Sequence, residues 1–169
     1  EKHEDIIRAI ELCKKHGINT QGFFIIGLPF SNFEAEMRSI AFSLKLKKLG
    51  LGSSAWGLAV PFPCTWMRKW VDENGTLLAD VVGKLSIDGL KNEPAFETKD
   101  FSAEDRKKAC VLANLAWGNY WINAEGDGHA ARNLARIAKF IIKYDSKRLP
   151  WHIANFAKKA ALRLKRNIA

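Results

Sequence analysis

Two apolar runs of the chain each end in a short segment rich in glycine or proline, and such segments can form the wall of a ligand site. Gly27-Leu28-Pro29 follows the run Phe23–Ile26, and Pro61-Phe62-Pro63 follows the run Ala55–Val60. Glycine lets a ligand approach the backbone closely, whereas proline removes an amide donor and fixes the direction of the turn. These residue types suit contact with a flat, apolar ring such as adenine, although they also occur at strand ends that bind nothing.

The cysteines and histidines, which are the other side chains that commonly do chemistry, lack the spacing of a site. Cys13, Cys64 and Cys110 are far apart and odd in number, so they form neither a metal-ligand motif nor a disulfide framework. We interpret them as free thiols, which pack as small apolar side chains and suit a reducing cytoplasm. The histidines are expected at the surface or at helix ends: His3, His16, His129 and His152. The residues alone therefore predict no metal site and identify no catalytic residue.

Helices and strands are predicted to alternate over the first 60 residues, which favours an α/β fold. Apolar residues at helical spacing over Glu4–His16 precede the run Phe23–Ile26, and a second helix, about Glu34–Lys48, precedes the run Ala55–Val60. A continuous apolar run predicts a parallel strand covered on both faces, and parallel strands need helical crossovers. Because ligands bind at the carboxyl ends of parallel strands, both glycine- and proline-rich segments are expected at the ligand-binding edge.

The organisation changes beyond residue 63, where the alternation of helices and strands ends; a short strand or hairpin around Leu85–Ile87 is left open. Helices are predicted over three further stretches, Thr65–Val71, about His129–Tyr144 and about His152–Arg166, with Pro150 separating the last two. Another helix begins at Ser102 with a pattern like a capping box. We therefore divide the chain into a strand-bearing part, residues 1–75, an irregular connecting segment, residues 76–101, and a basic helical region, residues 102–169.

Basic residues are concentrated in the last third of the chain. Residues 106–169 hold 14 basic and 3 acidic side chains, against a net charge of +9 for the whole chain. Basic amphipathic helices in residues 129–169 can pack their apolar side on the protein with their charges solvated, lie on an anionic membrane, or contact nucleic acid phosphates. Nucleic acid is the least favoured partner, because no stretch resembles a nucleic-acid-binding motif. The expected location is the cytoplasm, with peripheral membrane association left open.

Taken in order, the two strand ends resemble a known family. Family members read like GFFIIGLPGET, then a helix, then PFPGT, and this chain has the matching stretches Gly22–Pro29 and Pro61–Thr65. About residues 5–75 resemble the fifth and sixth strands of the radical S-adenosylmethionine (SAM) enzyme barrel, in the branch that includes cobalamin-dependent members. The resemblance implies the last strands and helices of a partial (β/α) radical SAM barrel, followed by a mostly α-helical C-terminal region.

The resemblance also implies a site for the cofactor. In that family the fifth-strand isoleucine and glycine line the adenine pocket, and Ile25 and Gly27 match those positions. Pro29 belongs to the same matched turn, whereas Val60 and Pro61 are the nearest equivalents at the end of the sixth strand. The implied cofactors of the intact parent protein are SAM and a [4Fe–4S] cluster, with cobalamin left open. The implied substrate is a small molecule or a lipid.

The chain departs from the family pattern at two glycines and in the cluster motif. Phe30-Ser31-Asn32 stands where the family has Gly-Glu-Thr, and Cys64 stands where the family has the glycine of PFPGT. Phe30 is expected to narrow the mouth of the pocket, whereas Cys64 is either a packing residue or a reactive thiol near the substrate. The C-x-x-x-C-x-x-C loop, whose three thiolates hold the cluster and leave one iron open to SAM, has no counterpart in these residues.

Two functional hypotheses follow from these patterns. In the first, the chain is the C-terminal fragment of a radical SAM enzyme; it supplies part of the adenine pocket and of the substrate side, and it is not competent alone because upstream sequence supplies the cluster. In the second, the chain is a non-catalytic module that binds anionic membrane surfaces through basic amphipathic helices. An upstream C-x-x-x-C-x-x-C motif in the parent gene favours the first hypothesis.

Overall fold

The computed structural model describes residues 2–78, 93–119, 138–139 and 141–168, with the side chains of the last helix described up to residue 158. The chain divides into two compact units, Glu1–Ala113 and Asn114–Ala169. The first unit contains all of the described strands. Most of the helix predicted over His129–Tyr144 lies outside the described residues, and the domain boundaries predicted at residues 75 and 101 stay predictions.

The first unit opens with a helix and a parallel β-α-β arrangement. Its elements are α1 (His3–Lys15), β1 (Gln21–Ile26), α2 (Phe33–Leu49) and β2 (Ser53–Leu58). The two strands pair in parallel, from Gln21 opposite Ser53 to Ile26 opposite Leu58. The helix α2 is the crossover that parallel pairing requires. The predicted order of helix, strand, helix and strand is confirmed.

The two faces of the β1–β2 pair differ in how well they are covered. On one face Phe24 stacks on Trp56, with ring centroids 4.3 Å apart, and Ile26 is fully buried. On the other face Phe23 is 78% exposed and Ile25 is 55% exposed. The continuous apolar run predicts cover on both faces, but the described residues cover only one. We call the second face, which carries Phe23 and Ile25, the open face.

A second, smaller sheet follows the parallel pair. Its strands are β3 (Gly75–Leu77) and β4 (Phe96–Thr98). The helix α3 (Trp66–Asn74) precedes β3, and the helix α4 (Ala103–Trp117) follows β4. The strands β3 and β4 pair in antiparallel fashion, and Phe96 joins Val71, Ala59 and Ala95 in a buried apolar cluster. The sequence predicts an irregular segment over residues 76–101, because strands of three residues are too short to show a periodic pattern. The cluster ties the chain just after β2 to this second sheet.

Side-chain caps determine where α2 and α3 begin. The side chain of Asn32 accepts a hydrogen bond from the amide of Ala35 at 2.9 Å, and Thr65 Oγ1 accepts one from the amide of Arg68 at 3.2 Å. Each cap satisfies an amide that has no partner within its helix. Both caps stand at the ends of the loops that follow β1 and β2, so they help to fix the shape of those loops.

The described part of the second unit is helical. Residues 141–145 are helical, one 3-10 turn covers Ser146–Arg148, and α5 runs over Leu149–Ile168. The sequence predicts that Pro150 separates two helices, but Pro150 lies in the first turn of α5. Proline is favoured there because the amide that it lacks would have no partner within the helix.

A polar cluster joins the 3-10 turn to α5. The carboxylate of Asp145 accepts hydrogen bonds from Arg148 Nε at 3.0 Å and Nη2 at 2.7 Å, and it lies 2.8 Å from His152 Nε2. Burial raises the pKa of Asp145, but the hydrogen bonds from Arg148 and His152 outweigh burial, so the pKa lies below its ordinary value. Of the two places expected for His152, the surface and a helix end, the structure shows the helix end: His152 lies in the first turn of α5, and its side chain is 1% exposed beside this carboxylate.

The fold class is mixed α/β, as predicted. The described strands form two separate two-stranded sheets, and the described residues contain no closed barrel. The partial barrel therefore stays a prediction. Within the same residues, every helix is too short or too polar to cross a membrane.

Two loops of the first unit contain left-handed backbone at residues other than glycine. Within the described residues, Phe30 has φ of 66° and Cys64 has φ of 63°. In the resemblance described above, these are the two positions at which the radical SAM family has glycine. Left-handed backbone costs a residue with a Cβ atom about 1–2 kcal/mol, so both loops have shapes that glycine would adopt with less strain.

Glycine should be more stable than alanine at position 64. We expect Cys64→Gly to have a free energy of unfolding about 1 kcal/mol higher than Cys64→Ala, because glycine relieves the left-handed strain at some cost in chain entropy. Chemical denaturation of the 169-residue chain measures this difference. The control pair is Cys13→Gly and Cys13→Ala, in helix α1, where glycine should instead be about 1 kcal/mol less stable. A glycine penalty at both positions would contradict the strain at Cys64.

Candidate functional site

The candidate site lies at the carboxyl ends of β1 and β2. The amide of Ala59 donates to the carbonyl of Ile26 at 2.8 Å, so the pairing continues past the last residue of each strand. The loop that begins at Gly27 and the loop that begins at Val60 therefore start side by side. The structure thus brings together the two segments that the sequence places at a ligand-binding edge.

The amide of Gly27 is held by a buried carboxylate of α2. The Gly27 N–H donates to Glu36 Oε1 at 2.8 Å, and Ser31 Oγ donates to the same oxygen at 2.6 Å. Glu36 is 4% exposed. A carboxylate that is buried this deeply needs such donors, because burial without them is costly. Glu36 therefore fixes both ends of the loop from Gly27 to Ser31.

The carbonyl of Gly27 is held by Arg106 of α4. Arg106 Nη1 donates to the Gly27 carbonyl at 2.7 Å, and Arg106 Nε donates to the Phe101 carbonyl at 3.1 Å. The guanidinium lies 4.0 Å from the ring centroid of Phe96 and 4.6 Å from that of Phe101, and the side chain is among the most buried of the described residues. Stacking on two aromatic rings and two hydrogen bonds together compensate its burial.

Burial changes the acidity of Arg106 without removing its charge at neutral pH. Burial lowers the pKa of Arg106 to about 10, although the charges of Glu36 and Glu97 act to raise it. A group with this pKa is protonated at pH 7. The loop at Gly27 is therefore held between a carboxylate, Glu36, on its amide side and a cation, Arg106, on its carbonyl side.

Glycine at position 27 is required by this arrangement. Gly27 has φ of 82°, and a Cβ atom built there would overlap the guanidinium of Arg106. The close approach that the sequence predicts at this glycine is thus made by a side chain of the same unit. Gly27 remains at the predicted edge, but both of its backbone polar groups already have partners within the protein.

The other residues predicted to bind the cofactor lie in three different environments. Ile25 is 55% exposed on the open face, opposite Gly57, and a Cβ atom built at Gly57 would meet no atom within 4 Å. Pro29 is half-buried, Val60 packs against the apolar cluster of Val71 and Phe96, and the side chain of Pro61 is fully buried. Of these side chains, Ile25 presents the large apolar surface that a ligand can contact.

Two residues that shape the site were not predicted from the sequence. Arg106 lies 79 positions from its partner Gly27, and no sequence pattern connects the two. Glu36 carried a weaker signal. It lies at helical spacing from two buried apolar residues of α2, Ile40 and Leu46, and from the buried Ser43. A carboxylate at helical spacing from buried apolar residues is itself expected to be buried, and a buried carboxylate needs hydrogen-bond donors.

The described residues contain no group of three or more histidine, cysteine, aspartate or glutamate side chains that could hold a metal ion. Cys64 is exposed in the loop after β2, Cys13 is half-buried, and Cys110 is buried. The three thiols therefore belong to separate surroundings, and the described residues do not fit an iron–sulfur cluster.

Comparison with known proteins connects the chain to methyltransferases. It is 28% identical over 111 residues to an uncharacterized methyltransferase of Pyrococcus horikoshii, a match that covers 66% of this chain. The chain spans 23% of the length of that relative. No family model matches the chain, and no solved structure matches it. The similarity supports a link to methyltransferases at the level of a distant relative.

The requirement for glycine at position 27 can be tested by comparison with Gly57. We expect Gly27→Ala to lower the free energy of unfolding by about 3 kcal/mol, because the new Cβ atom combines left-handed strain with displacement of a buried charged hydrogen bond. Gly57→Ala adds the same atom to a neighbouring strand where it meets open space, so its effect should stay within about 0.5 kcal/mol. Denaturant titration of both variants measures the difference. Equal effects would show that Arg106 does not occupy the position described.

Replacement of Arg106 by lysine tests whether the two hydrogen bonds of its guanidinium stabilise the fold. Arg106→Lys keeps the charge but cannot reach the Gly27 and Phe101 carbonyls together, so we expect a loss of about 2 kcal/mol in the free energy of unfolding. The matched control is Arg38→Lys on α2, where the arginine forms an exposed ion pair with Glu34 at 2.8 Å. That change should cost less than about 0.5 kcal/mol. A similar loss in both variants would contradict the role of Arg106.

Proposed function

We propose that the chain supplies the last strands of the SAM-binding barrel of a radical SAM methyltransferase, with β1 and β2 contributing part of the adenine pocket. Three observations support this proposal. The chain is similar to an uncharacterized methyltransferase, its strand-end motifs resemble the radical SAM family, and left-handed backbone occurs at Phe30 and Cys64, where that family has glycine. The proposed activity belongs to the larger protein, since the chain spans 23% of the relative that it matches.

The open face of the β1–β2 pair carries the proposal. Parallel sheets in proteins are covered on both faces, yet here the large side chains of Phe23 and Ile25 stand exposed opposite the small residues Ala55 and Gly57. Among the described strands, β1 and β2 have no further partner. Two parallel strands with one bare apolar face need additional strands and a ligand or side chains to cover them. The interior of a barrel completed by upstream sequence would supply both.

The described residues suggest how the adenine would be held. Ile25 would contact one face of the ring, and the bare backbone at Gly57 would leave the space that a flat ring needs. Gly27 would act through the shape of its loop, since its amide and its carbonyl are bound to Glu36 and Arg106. SAM would supply the methyl group and, in radical SAM chemistry, the 5′-deoxyadenosyl group. The described residues would orient its adenine and exclude water from one side.

The iron–sulfur cluster and cobalamin enter this proposal only through the resemblance. The described residues do not fit the cluster, so its ligands would have to come from upstream sequence. The methyl acceptor would be a small molecule or a lipid. Attachment to anionic membranes through residues 129–169 remains an untested alternative, and no observation in the described residues favours it.

Binding of SAM to the open face can be measured directly by NMR. We expect SAM to shift the amide resonances of Gly27 and Gly57 in the 169-residue chain with a Kd on the order of 1 mM, equivalent to about −4 kcal/mol, because the cluster that would hold its amino acid part is missing. Ile25→Asp should abolish these shifts. Ile153→Asp is the matched control, since Ile153 on α5 is 62% exposed. Absence of shifts, or shifts that survive Ile25→Asp, would contradict the proposed adenine site.

A further inference from the structure

A cleft of about 390 Å³ lies beside the loop that follows β1. Its walls come from that loop, from α3 and from the turn after β4, and they include Phe30, Trp70, Asn74, Thr98, Lys99 and Asp100. Ser31 also lines the cleft, and its hydroxyl donates a hydrogen bond to Glu36, the carboxylate that accepts from the Gly27 amide. The cleft therefore adjoins the candidate adenine site through the Ser31–Glu36–Gly27 hydrogen bonds but is lined by different residues.

An aromatic wall forms the apolar side of the cleft. Phe30 lies edge-on to Trp70, with ring centroids 5.2 Å apart, and its ring centroid is 6.3 Å from that of Trp66. Phe30 is 79% exposed and has φ of 66°, so it combines an exposed apolar ring with a strained backbone. Each of these features lowers stability, and strain of this kind concentrates at binding sites. A ligand that stacks on the ring would compensate the exposure.

The polar side of the cleft carries no net charge. Lys99 and Asp100 are exposed neighbours of opposite sign, and neither forms a side-chain hydrogen bond or ion pair within the described part of the chain. Asn74 donates its amide to the carbonyl of Trp70 at 2.9 Å, which fixes the orientation of its side chain. A fully apolar acyl chain in this cleft would remove Lys99 and Asp100 from water without offering them partners, which is unfavourable. A charged ligand would meet attraction from one of them and repulsion from the other.

We propose that this cleft binds a planar, conjugated ring that carries uncharged polar groups at its edge. The ring would stack on Phe30 and meet Trp70 edge to face, while its edge would bond to Asn74, Lys99 and Asp100. Its role as the methyl acceptor rests on the proposed function, but its binding does not. Phe30, which replaces the glycine of the family, is then the residue that determines substrate class.

The test uses 2-naphthamide and its saturated equivalent, decahydro-2-naphthamide, as probes of equal heavy-atom number and no charge. Titration of each into the 169-residue chain, followed by amide NMR shifts, gives the two affinities. We expect shifts at Phe30, Trp70 and Lys99 with the planar probe, and affinity for the saturated probe about fivefold weaker. Equal affinities, or no binding of the planar probe, would overturn the proposal. Tighter binding of 2-naphthoate than of 2-naphthamide would overturn its uncharged character.

A matched pair of variants locates the binding. Phe30→Leu and Phe23→Leu remove rings of nearly equal exposure, 79% and 78%, from the cleft and from the open face respectively. We expect Phe30→Leu to weaken binding of 2-naphthamide about fivefold and Phe23→Leu to leave it unchanged. Equal weakening in both variants would overturn the assignment to the cleft. If 2-naphthamide binds but SAM causes no shift, the proposed function is wrong and the proposed binding in the cleft holds. If SAM causes the shifts but 2-naphthamide does not bind, only the proposal for the cleft is wrong.

Discussion

The hydrogen bond from Arg106 to the carbonyl of Gly27 is the interaction on which the candidate site depends. It joins residues 79 positions apart and connects α4 to the carboxyl end of β1. The same guanidinium stacks on Phe96, which belongs to the apolar cluster that packs against the chain after β2. The ends of both parallel strands are thus held by one buried side chain and its surroundings, and Glu36 completes the arrangement from the side of α2.

This anchoring does not use the open face of the β1–β2 pair, where Phe23 is 78% and Ile25 is 55% exposed. The loop at Gly27 takes its shape from within the protein, so a ligand on the open face would contact a surface that is already formed. Preorganisation of this kind reduces the free energy lost on binding. The strained loops at Phe30 and Cys64 follow the carboxyl ends of β1 and β2, and parallel α/β folds bind their ligands at these strand ends.

Local features of the fold could be predicted from the sequence, whereas the contacts that shape the site could not. Apolar runs such as Phe23–Ile26 predict strands, and apolar residues at helical spacing predict helices, because both depend on neighbouring residues. The three-residue strands β3 and β4 show no period, and no local pattern indicates that His152 is buried beside Asp145. The local sequence predicts Arg106 to be an ordinary surface residue of an amphipathic helix, because it gives no indication of the aromatic neighbours or of the Gly27 carbonyl.

The proposed function requires that this chain is part of a larger radical SAM enzyme. The most direct measurement is the sequence of the encoding DNA upstream of the codon for Glu1. We expect an open reading frame that continues upstream through a C-x-x-x-C-x-x-C motif, at a distance that leaves room for the earlier strands of the barrel. A stop codon followed by a start codon directly before Glu1 would contradict it, because the strands that cover the open face and the ligands of the cluster would then have no source.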